Sequence, residues 1–580
     1  SSALHYGETY RFFGTLQEEP SRQMQNPVFE SAQNAGGLTG RLVPVYALTA
    51  GLSNNVLQKA IRQALDACLG TLPDILPESV RTEYKLCGVQ FAYKTIHAPA
   101  SREALMQART RLVFEEFFIF SAGLQMLRDA RCDESAVPCD ISGADAFEAA
   151  LPFRLTGAQQ RAIRDVLRDM ASGRPMNRLV QGDVGSGKTM IAAAAAFCAA
   201  KNGLQTAFLV PTEILARQHF ASLRALMSRF SIETVLLTGS MPAAEKRRVK
   251  EAIASGEAKL ILGTHALLSG DVAFQSLGLV IADEQHRFGV GQRAALAAKG
   301  RFPHLLVMSA TPIPRTLALI AYGDLDISVV DELPPGRQTI DTFLVGERLR
   351  QRVHAFLRRQ CAEGGQAYIV CPAIEEGELE SLKSAEVWAQ TLQSAVFPDL
   401  RVGLLHGRMK GAEKDAVMSA FARHELDILV STTVIEVGVD VPNANVMVIE
   451  NADRFGLSQL HQLRGRVGRG ERKSYCILFT SSQNEETLRR LKALASTNDG
   501  FKIAEEDLKL RGPGDFFGSR QHGLPLFKAA NLQLDMTVLS QAQRAAEAAL
   551  HDPGWHTDPA FATLRARIDV LFDSEPVALN

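Results

Sequence analysis

Apolar and polar positions along the chain fall into three textures. Near the start, Thr9-Tyr10-Arg11-Phe12-Phe13 has the β-branched and aromatic content of a strand. Pro, Gly and Asn punctuate the stretch after it, so residues 1 to about 55 read as β-rich. From Val56 to about Asp129 the spacing changes to that of one helical face, as in Val56-Leu57, Ala60-Ile61 and Ala64-Leu65. Within it, Arg109 to Leu127 predicts a helix rich in aromatics and Leu, and the polar stretch Arg131–Asp145 predicts a connector. The third texture alternates short apolar runs with helical segments: Ala207–Val210, Thr234–Leu237, Leu260–Leu262, Leu279–Ile281 and Leu305–Met308. Such runs belong to strands of a parallel sheet covered by helices on both faces. A break at Leu333-Pro334-Pro335-Gly336 precedes a second series: Ala367–Val370, Val402–Leu405, Ile428–Val430, Val446–Ile449 and Tyr475–Phe479. Two α/β domains in tandem are expected. After about Ser481 the pattern is helical and charged, then loop-like near Gly512–Gly523.

Composition changes this picture little. The 580 residues suffice for three or four domains, and 46% hydrophobic with 22% charged residues is ordinary for a globular protein. No apolar run reaches the roughly 18 residues needed to cross a bilayer; Ile191–Ala200 is too short, so no membrane association is expected. Ser1 to Tyr6 lack a basic region and an apolar core, so no signal peptide is read there. The first residue is not Met, and we expect the natural N-terminus to lie further upstream. None of the eight Cys form a C-x-x-C pair, and the Cys132/Cys139 spacing fits no common zinc template. They read as small buried apolar residues in a reducing, cytoplasmic setting. Net charge is −1, from 63 basic and 64 acidic residues, so any nucleic-acid site must come from a local basic face.

Chemistry is concentrated in a few places. Gly182-Asp183-Val184-Gly185-Ser186-Gly187-Lys188-Thr189 matches G-x-x-x-x-G-K-[ST], between the apolar pair Leu179-Val180 and an Ala-rich helix. Glycines there let backbone N–H groups converge on phosphate oxygens at a helix N-terminus. Lys188 is expected on the β- and γ-phosphates of ATP, and Thr189 on Mg2+. Asp283-Glu284 follows the apolar strand Leu279–Ala282, where a carboxylate facing the phosphate loop can hold the metal. Asp283 is assigned the metal through water, and Glu284 the attacking water. Upstream, Phe153 is suited to stack on the base and Gln159 to pair with adenine. Thr156 and Gln159 equally suit the N-cap and N3 positions of a helix, and the two readings are compatible. Gln462-Leu463-Arg464-Gly465-Arg466-Val467-Gly468-Arg469 suits a turn whose three guanidiniums point into a cleft facing the phosphates. A basic surface loop is the other reading.

The order of these motifs resembles the superfamily 2 helicases, whose two RecA-like domains bind ATP between them. Ser309-Ala310-Thr311 looks like motif III, which links nucleotide state to DNA grip. Pro211-Thr212-Glu213, Gly263-Thr264-His265 and the run Ser431–Asp440 look like motifs Ia, Ib and V. Asp283–Val290, Ser309–Leu317, Leu333–Arg337 and Gln459–Gly470 narrow the resemblance to the RecG family. Asp499-Gly500-Phe501, Glu506-Asp507-Leu508, Leu510–Asp515 and Gly518–Gly523 look like that family's TRG region, where Arg511, Arg520 and Gln521 would transmit hydrolysis to translocation.

The resemblance implies a partial OB-type wedge over 1–55, a helical linker over 56–150 and RecA-like domains over 151–335 and 336–483. A helical hairpin with the TRG region would occupy 484–580. It implies an ATP- and Mg2+-dependent DNA helicase with catalytic Lys188, Glu284, Gln462, Arg466 and Arg469. Its substrates would be Holliday junctions, forks and duplex arms, remodelled in recombination and repair. The expected setting is the bacterial cytoplasm at the nucleoid. The enzyme is expected to act as a monomer, with single-stranded-DNA-binding protein as a candidate partner. Met24-Gln25-Asn26-Pro27-Val28 departs from the His-Pro-Glu common in that family, so no junction-stacking aromatic is assigned. Three rival readings are a transcription-repair coupling translocase, which shares the TRG region, a DNA-docking scaffold without hydrolysis, and a metabolic P-loop kinase.

Overall fold

The computed structural model describes residues 4–17, 23–24, 27–32, 42–49, 51–130, 135–283, 295–310, 325–334, 337–372, 386–432, 441–470, 472–511, 527–532 and 534–574. The chain divides into two compact units, residues 1–126 with 523–577 and residues 127–522 with 578–580.

The first unit opens with two small antiparallel pairs. Strand β1 (Tyr10–Phe13) lies against β4 (Val28–Ser31), with the Phe29 ring between Tyr10 and Phe12 at 6.0 and 5.8 Å. Strand β2 (Leu16–Gln17) pairs with β3 (Gln23–Met24). Helices Asn54–Cys68, Glu78–Glu83, Val89–His97 and Arg102–Ala130 come next, where the 3–4 spacing placed them. The last carries the core of this unit, with Phe114, Phe117 and Phe118 fully buried. Arg111 is buried beside them and pairs with Asp74 and Glu115. The same helix fastens the end of the chain. Arg109 forks onto Asp535 at 2.6 and 2.7 Å, and Glu116 accepts the backbone N–H groups of Lys528, Ala529 and Ala530. Helices Met536–Leu550 and Ala562–Ser574 thus belong to this unit.

The second unit is built on two parallel sheets. The first contains β5 (Asn177–Gly182), β6 (Gln205–Leu209), β7 (Thr234–Leu237), β8 (Leu260–Gly263), β9 (Leu277–Ala282), β10 (His304–Ser309) and β11 (Asp326–Val330), in the order β11-β5-β10-β9-β6-β8-β7. The second contains β12 (Ile340–Val345), β13 (Gln366–Val370), β14 (Val402–Leu405), β15 (Ile428–Ser431), β16 (Ala444–Ile449) and β17 (Ser474–Phe479), in the order β12-β17-β16-β13-β15-β14. This is the expected tandem α/β arrangement. The central strands are buried at every residue, as the continuous apolar runs predict. Strands β11 and β12 were not expected. Each is an outer strand with exposed or half-exposed positions, so neither reads as a continuous apolar run. Five of the seven described cysteines are buried, in keeping with their reading as small apolar residues.

Both sheets use one device that hydropathy does not reveal. Gln205 and Gln366 open β6 and β13 and are wholly buried. The Gln205 amide donates to the carbonyls of Ile253 and Ala258 at 2.9 Å each, and its oxygen accepts from Ser276 N–H. The Gln366 amide donates to Phe421 and Leu426 carbonyls at 2.7 Å each. Each side chain thereby satisfies the end of the crossover that returns to the sheet. Replacing either by Leu strands two buried carbonyls, at about 1–3 kcal/mol for each group left unpaired. Gln205→Leu and Gln366→Leu should each lower the urea midpoint of unfolding; an unchanged midpoint would show that the amides are idle.

Candidate functional site

Strands β5, β10 and β9 are neighbours, and their C-terminal ends carry the phosphate loop, Ser309-Ala310 and Asp283. Ligands bind at that edge of open parallel sheets. The loop's shape requires glycine at two positions. Gly185 and Gly187 have φ of 75° and 83°, in the left-handed region. A Cβ on Gly185 would lie 2.0 Å from Arg337 Nη1, and one on Gly187 would lie 2.2 Å from Gln159 Nε2. Lys188 begins the helix Lys188–Lys201 and folds back, its Nζ donating to the carbonyls of Gly182 and Asp183 at 2.8 and 2.9 Å. Thr189 is half-buried in the same first turn. Ser186 Oγ is buried without a hydrogen-bond partner among the described residues. A cradle too tight for any Cβ, an unsatisfied hydroxyl and a lysine resting on neutral carbonyls fit a loop shaped for phosphate oxygens and their Mg2+.

Gln159 serves as the cap that its spacing predicts. Its Oε1 accepts from Thr156 N–H at 2.9 Å, while its own N–H reaches Thr156 Oγ1 at 3.2 Å. Its Nε2 donates to the Ser186 carbonyl at 2.8 Å, which ties this helix to the phosphate loop. One amide hydrogen and one oxygen lone pair remain that a base edge could use. Phe153 is 51% exposed, as a stacking ring must be. Asp283 N–H binds the Leu209 carbonyl at 3.0 Å, and its Oδ2 lies 3.2 Å from His219 Nε2. His219 stacks on Phe208 and was not singled out in the sequence. Ser309 and Ala310 are buried. Glu284, Thr311, Arg520 and Gln521 lie outside the described residues; Arg511 closes the helix Gly500–Arg511.

The second sheet brings its own groups to the loop. The helix Leu457–Arg464 and the turn after it place Gln462 and Arg466 in buried positions, with Arg469 half-buried. A Cβ on Gly465 would lie 2.9 Å from Val184 Cβ, so this turn packs directly on the phosphate loop. Arg337 donates to the Val184 carbonyl, and burial lowers its pKa. Burial, with the like charge of Arg337, pushes Arg469 down to about 10. Burial pushes the Tyr368 hydroxyl up to about 12, against the opposing pull of Arg466 and Arg469. Three guanidiniums therefore gather where the chain as a whole is nearly neutral. This buried basic cluster suits a polyphosphate.

One carboxylate lies among them. His461 Nε2 meets Asp183 Oδ1 at 2.6 Å, and Val184 N–H donates to the same oxygen. Burial alone would raise the Asp183 pKa. The His461 hydrogen bond, the Val184 amide and the Arg337 charge outweigh it and hold the carboxyl below its ordinary value. Arg464 corrects the sequence reading. Its guanidinium is turned to groups of its own domain. It is buried, donating to the carbonyls of Leu494 and Thr497 at 2.8 Å each and to His461 Nδ1 at 2.9 Å. Because guanidinium only donates, His461 Nδ1 is an acceptor and Nε2 carries the hydrogen given to Asp183. Neither His461 nor Arg337 was assigned a role from sequence.

Three family models match the chain: DEAD/DEAH box helicase over residues 156–320, helicase conserved C-terminal domain over 349–471, and ATP-dependent DNA helicase RecG, domain 3, C-terminal, over 497–573. The chain is 49% identical over 524 residues to the ATP-dependent DNA helicase RecG of Synechocystis sp., covering 90% of this chain and 63% of that protein. It is 46% identical over 526 residues to the Bacillus subtilis protein of the same name, covering 90% and 77%. It therefore spans just under two thirds of the Synechocystis protein. A solved structure of RecG bound to a three-way DNA junction is similar at TM-score 0.70 and 45% identity, over 91% of this chain and 70% of that one. No helix among the described residues is long and apolar enough to cross a membrane.

The reassignment of Arg464 can be tested. Lysine keeps the charge but cannot reach two carbonyls and an imidazole in a planar fork. Arg464→Lys should destabilise the protein by about 1–3 kcal/mol, the cost of leaving buried acceptors unpaired. Urea unfolding would report it; unaltered stability would return Arg464 to the cleft.

Proposed function

The chain belongs to the RecG family of ATP-dependent DNA helicases, and from that premise we propose that it is an ATP-driven translocase on double-stranded DNA that remodels branched DNA. The observation that carries the proposal is the packing of the arginine-bearing turn of the second sheet on the phosphate loop of the first. A nucleotide held there would be touched by both domains, so its hydrolysis would alter how the domains meet.

Each residue's chemistry suggests its role. The loop Gly182–Thr189 would cradle the phosphates, and Lys188 would exchange its two carbonyl partners for phosphate oxygens. Phe153 and Gln159 would hold the base. Thr189 and Asp283 would hold Mg2+, which supplies charge neutralisation at the phosphates. Glu284 would orient and deprotonate the attacking water. Gln462, Arg466 and Arg469 would close on the γ-phosphate, and Ser309-Ala310-Thr311 would relay nucleotide state to the DNA grip. Arg511, Arg520 and Gln521 would turn domain motion into movement along the duplex. Contacts to the DNA backbone carry no base information, so recognition would rest on DNA shape. The relative whose structure holds a three-way junction supports Holliday junctions and forks as substrates. We place the protein in the bacterial cytoplasm at the nucleoid, as a monomer, with single-stranded-DNA-binding protein as a partner.

Phosphate release and branch migration, measured side by side, test these roles. Glu284→Gln should bind ATP yet lose turnover by ~10²–10⁴-fold, the range for a lost general base. Arg466→Ala and Arg469→Ala should lose up to ~10³-fold with a smaller loss of ATP affinity. Alanine at Arg511, Arg520 or Gln521 should spare DNA-stimulated hydrolysis while abolishing branch migration. Near-normal hydrolysis by Glu284→Gln would place the active site elsewhere.

A further inference from the structure

The carboxylate at the end of β9 has a side-chain partner that belongs to none of the motifs read in the sequence. Asp283 Oδ2 lies 3.2 Å from His219 Nε2, and the two side chains are only 13% and 12% exposed. An ionised carboxylate only accepts, so Nε2 carries the ring hydrogen and His219 is the donor. The pair spans 64 positions, and no local spacing marks it.

The ring is fixed on both sides. His219 stands on the helix Glu213–Met227, whose start is capped by Thr212 Oγ1 accepting Leu215 N–H at 3.3 Å. Glu213 ties the same helix end to Ser240 N–H at 3.0 Å. The imidazole lies nearly parallel to the Phe208 ring, with 26° between the planes and 5.4 Å between the centroids. Phe208 is wholly buried on β6, which runs beside β9 with Phe208 opposite Ile281 and Leu209 opposite Ala282. Asp283 is therefore held twice from β6. Its N–H bonds the Leu209 carbonyl at 3.0 Å, and its side chain meets the imidazole stacked on Phe208. The χ2 torsion of an aspartate is otherwise soft, so a bond to one carboxylate oxygen sets where the other oxygen lies.

We propose, on the reading that Asp283 holds Mg2+, that His219 is a positioning residue that aims the Asp283 carboxylate at the metal of the bound nucleotide. Mg2+ demands near-ideal octahedral geometry and keeps several of its waters, so a carboxylate that receives such a water has to be oriented. Mg2+ also prefers oxygen to nitrogen ligands, so the imidazole serves the carboxylate as a donor and not the metal as a ligand. Hydrogen-bond partners of this kind are worth about 10–100-fold in metal affinity. His219 touches neither substrate nor the reacting atoms; it acts through Asp283.

Titrating a fluorescent, non-hydrolysable ATP analogue onto the full chain, once with Mg2+ and once with EDTA, measures the affinity that the metal adds. His219→Phe keeps a ring to stack on Phe208 and removes the donor, whereas His219→Gln gives up the ring and keeps an N–H donor. The metal-dependent gain should shrink about 10–100-fold in His219→Phe, with affinity in EDTA unchanged. His219→Gln should recover most of that gain. Asp283→Asn is the reference, since it alters the metal-holding group itself. Loss of the gain in Asp283→Asn but not in His219→Phe would overturn the proposal. Equal losses with Mg2+ and with EDTA in His219→Phe would mark a pair that serves the fold alone, and would overturn it too. A gain that survives in Asp283→Asn would show instead that the metal is held elsewhere, and the role of His219 would fall with that of Asp283.

Discussion

A single buried carboxylate joins the two sheets at the place where the chemistry is expected. Asp183 is the second residue of the phosphate loop, and its partner, His461, comes from the other domain at 2.6 Å. An ionised carboxyl out of water needs such a partner; without one its burial would be costly. His461 is itself fixed by Arg464, and Arg464 by the carbonyls of Leu494 and Thr497. The loop that would hold phosphates is therefore coupled, through three side chains, to the backbone just ahead of the helix Gly500–Arg511. The arginine-bearing turn packs on Val184 beside this chain of bonds.

The electrostatics arise from the same arrangement. Arg337 is held near the loop with Asp183 as its counter-charge, Arg469 feels the like charge of Arg337, and burial already lowers the proton affinity of both. Crowded like charges of this kind are relieved by a polyanion. Lys188 donates to the neutral carbonyls of Gly182 and Asp183, and it has more to gain from charged phosphate oxygens than from those carbonyls. Binding and domain closure would then be one event, because the groups that bind are divided between the two sheets.

Much of this was legible in the sequence, for definite physical reasons. The strands β6, β9, β13 and β16 are buried on both faces, so each shows as an apolar run, and the glycine spacing around Lys188 has few other uses. Strands β11 and β12 escaped because edge strands mix polar with apolar residues. Arg464 was read as a cleft residue because three arginines in one turn look alike in sequence; only the carbonyls of Leu494 and Thr497 distinguish it. Asp183–His461 spans 278 positions and leaves no periodic trace. Gln159 shows the converse, since a local spacing predicted its cap while the Ser186 contact needed the fold.

The central claim is that the cleft between these sheets hydrolyses ATP in response to branched DNA. Steady-state ATP turnover, measured at saturating nucleotide with a fork, a Holliday junction, a linear duplex or a single strand, tests it most directly. The account predicts slow turnover without DNA, strong stimulation by the fork and the junction, and weak stimulation by the single strand. Turnover that is absent throughout, or equal with and without every DNA, would contradict it.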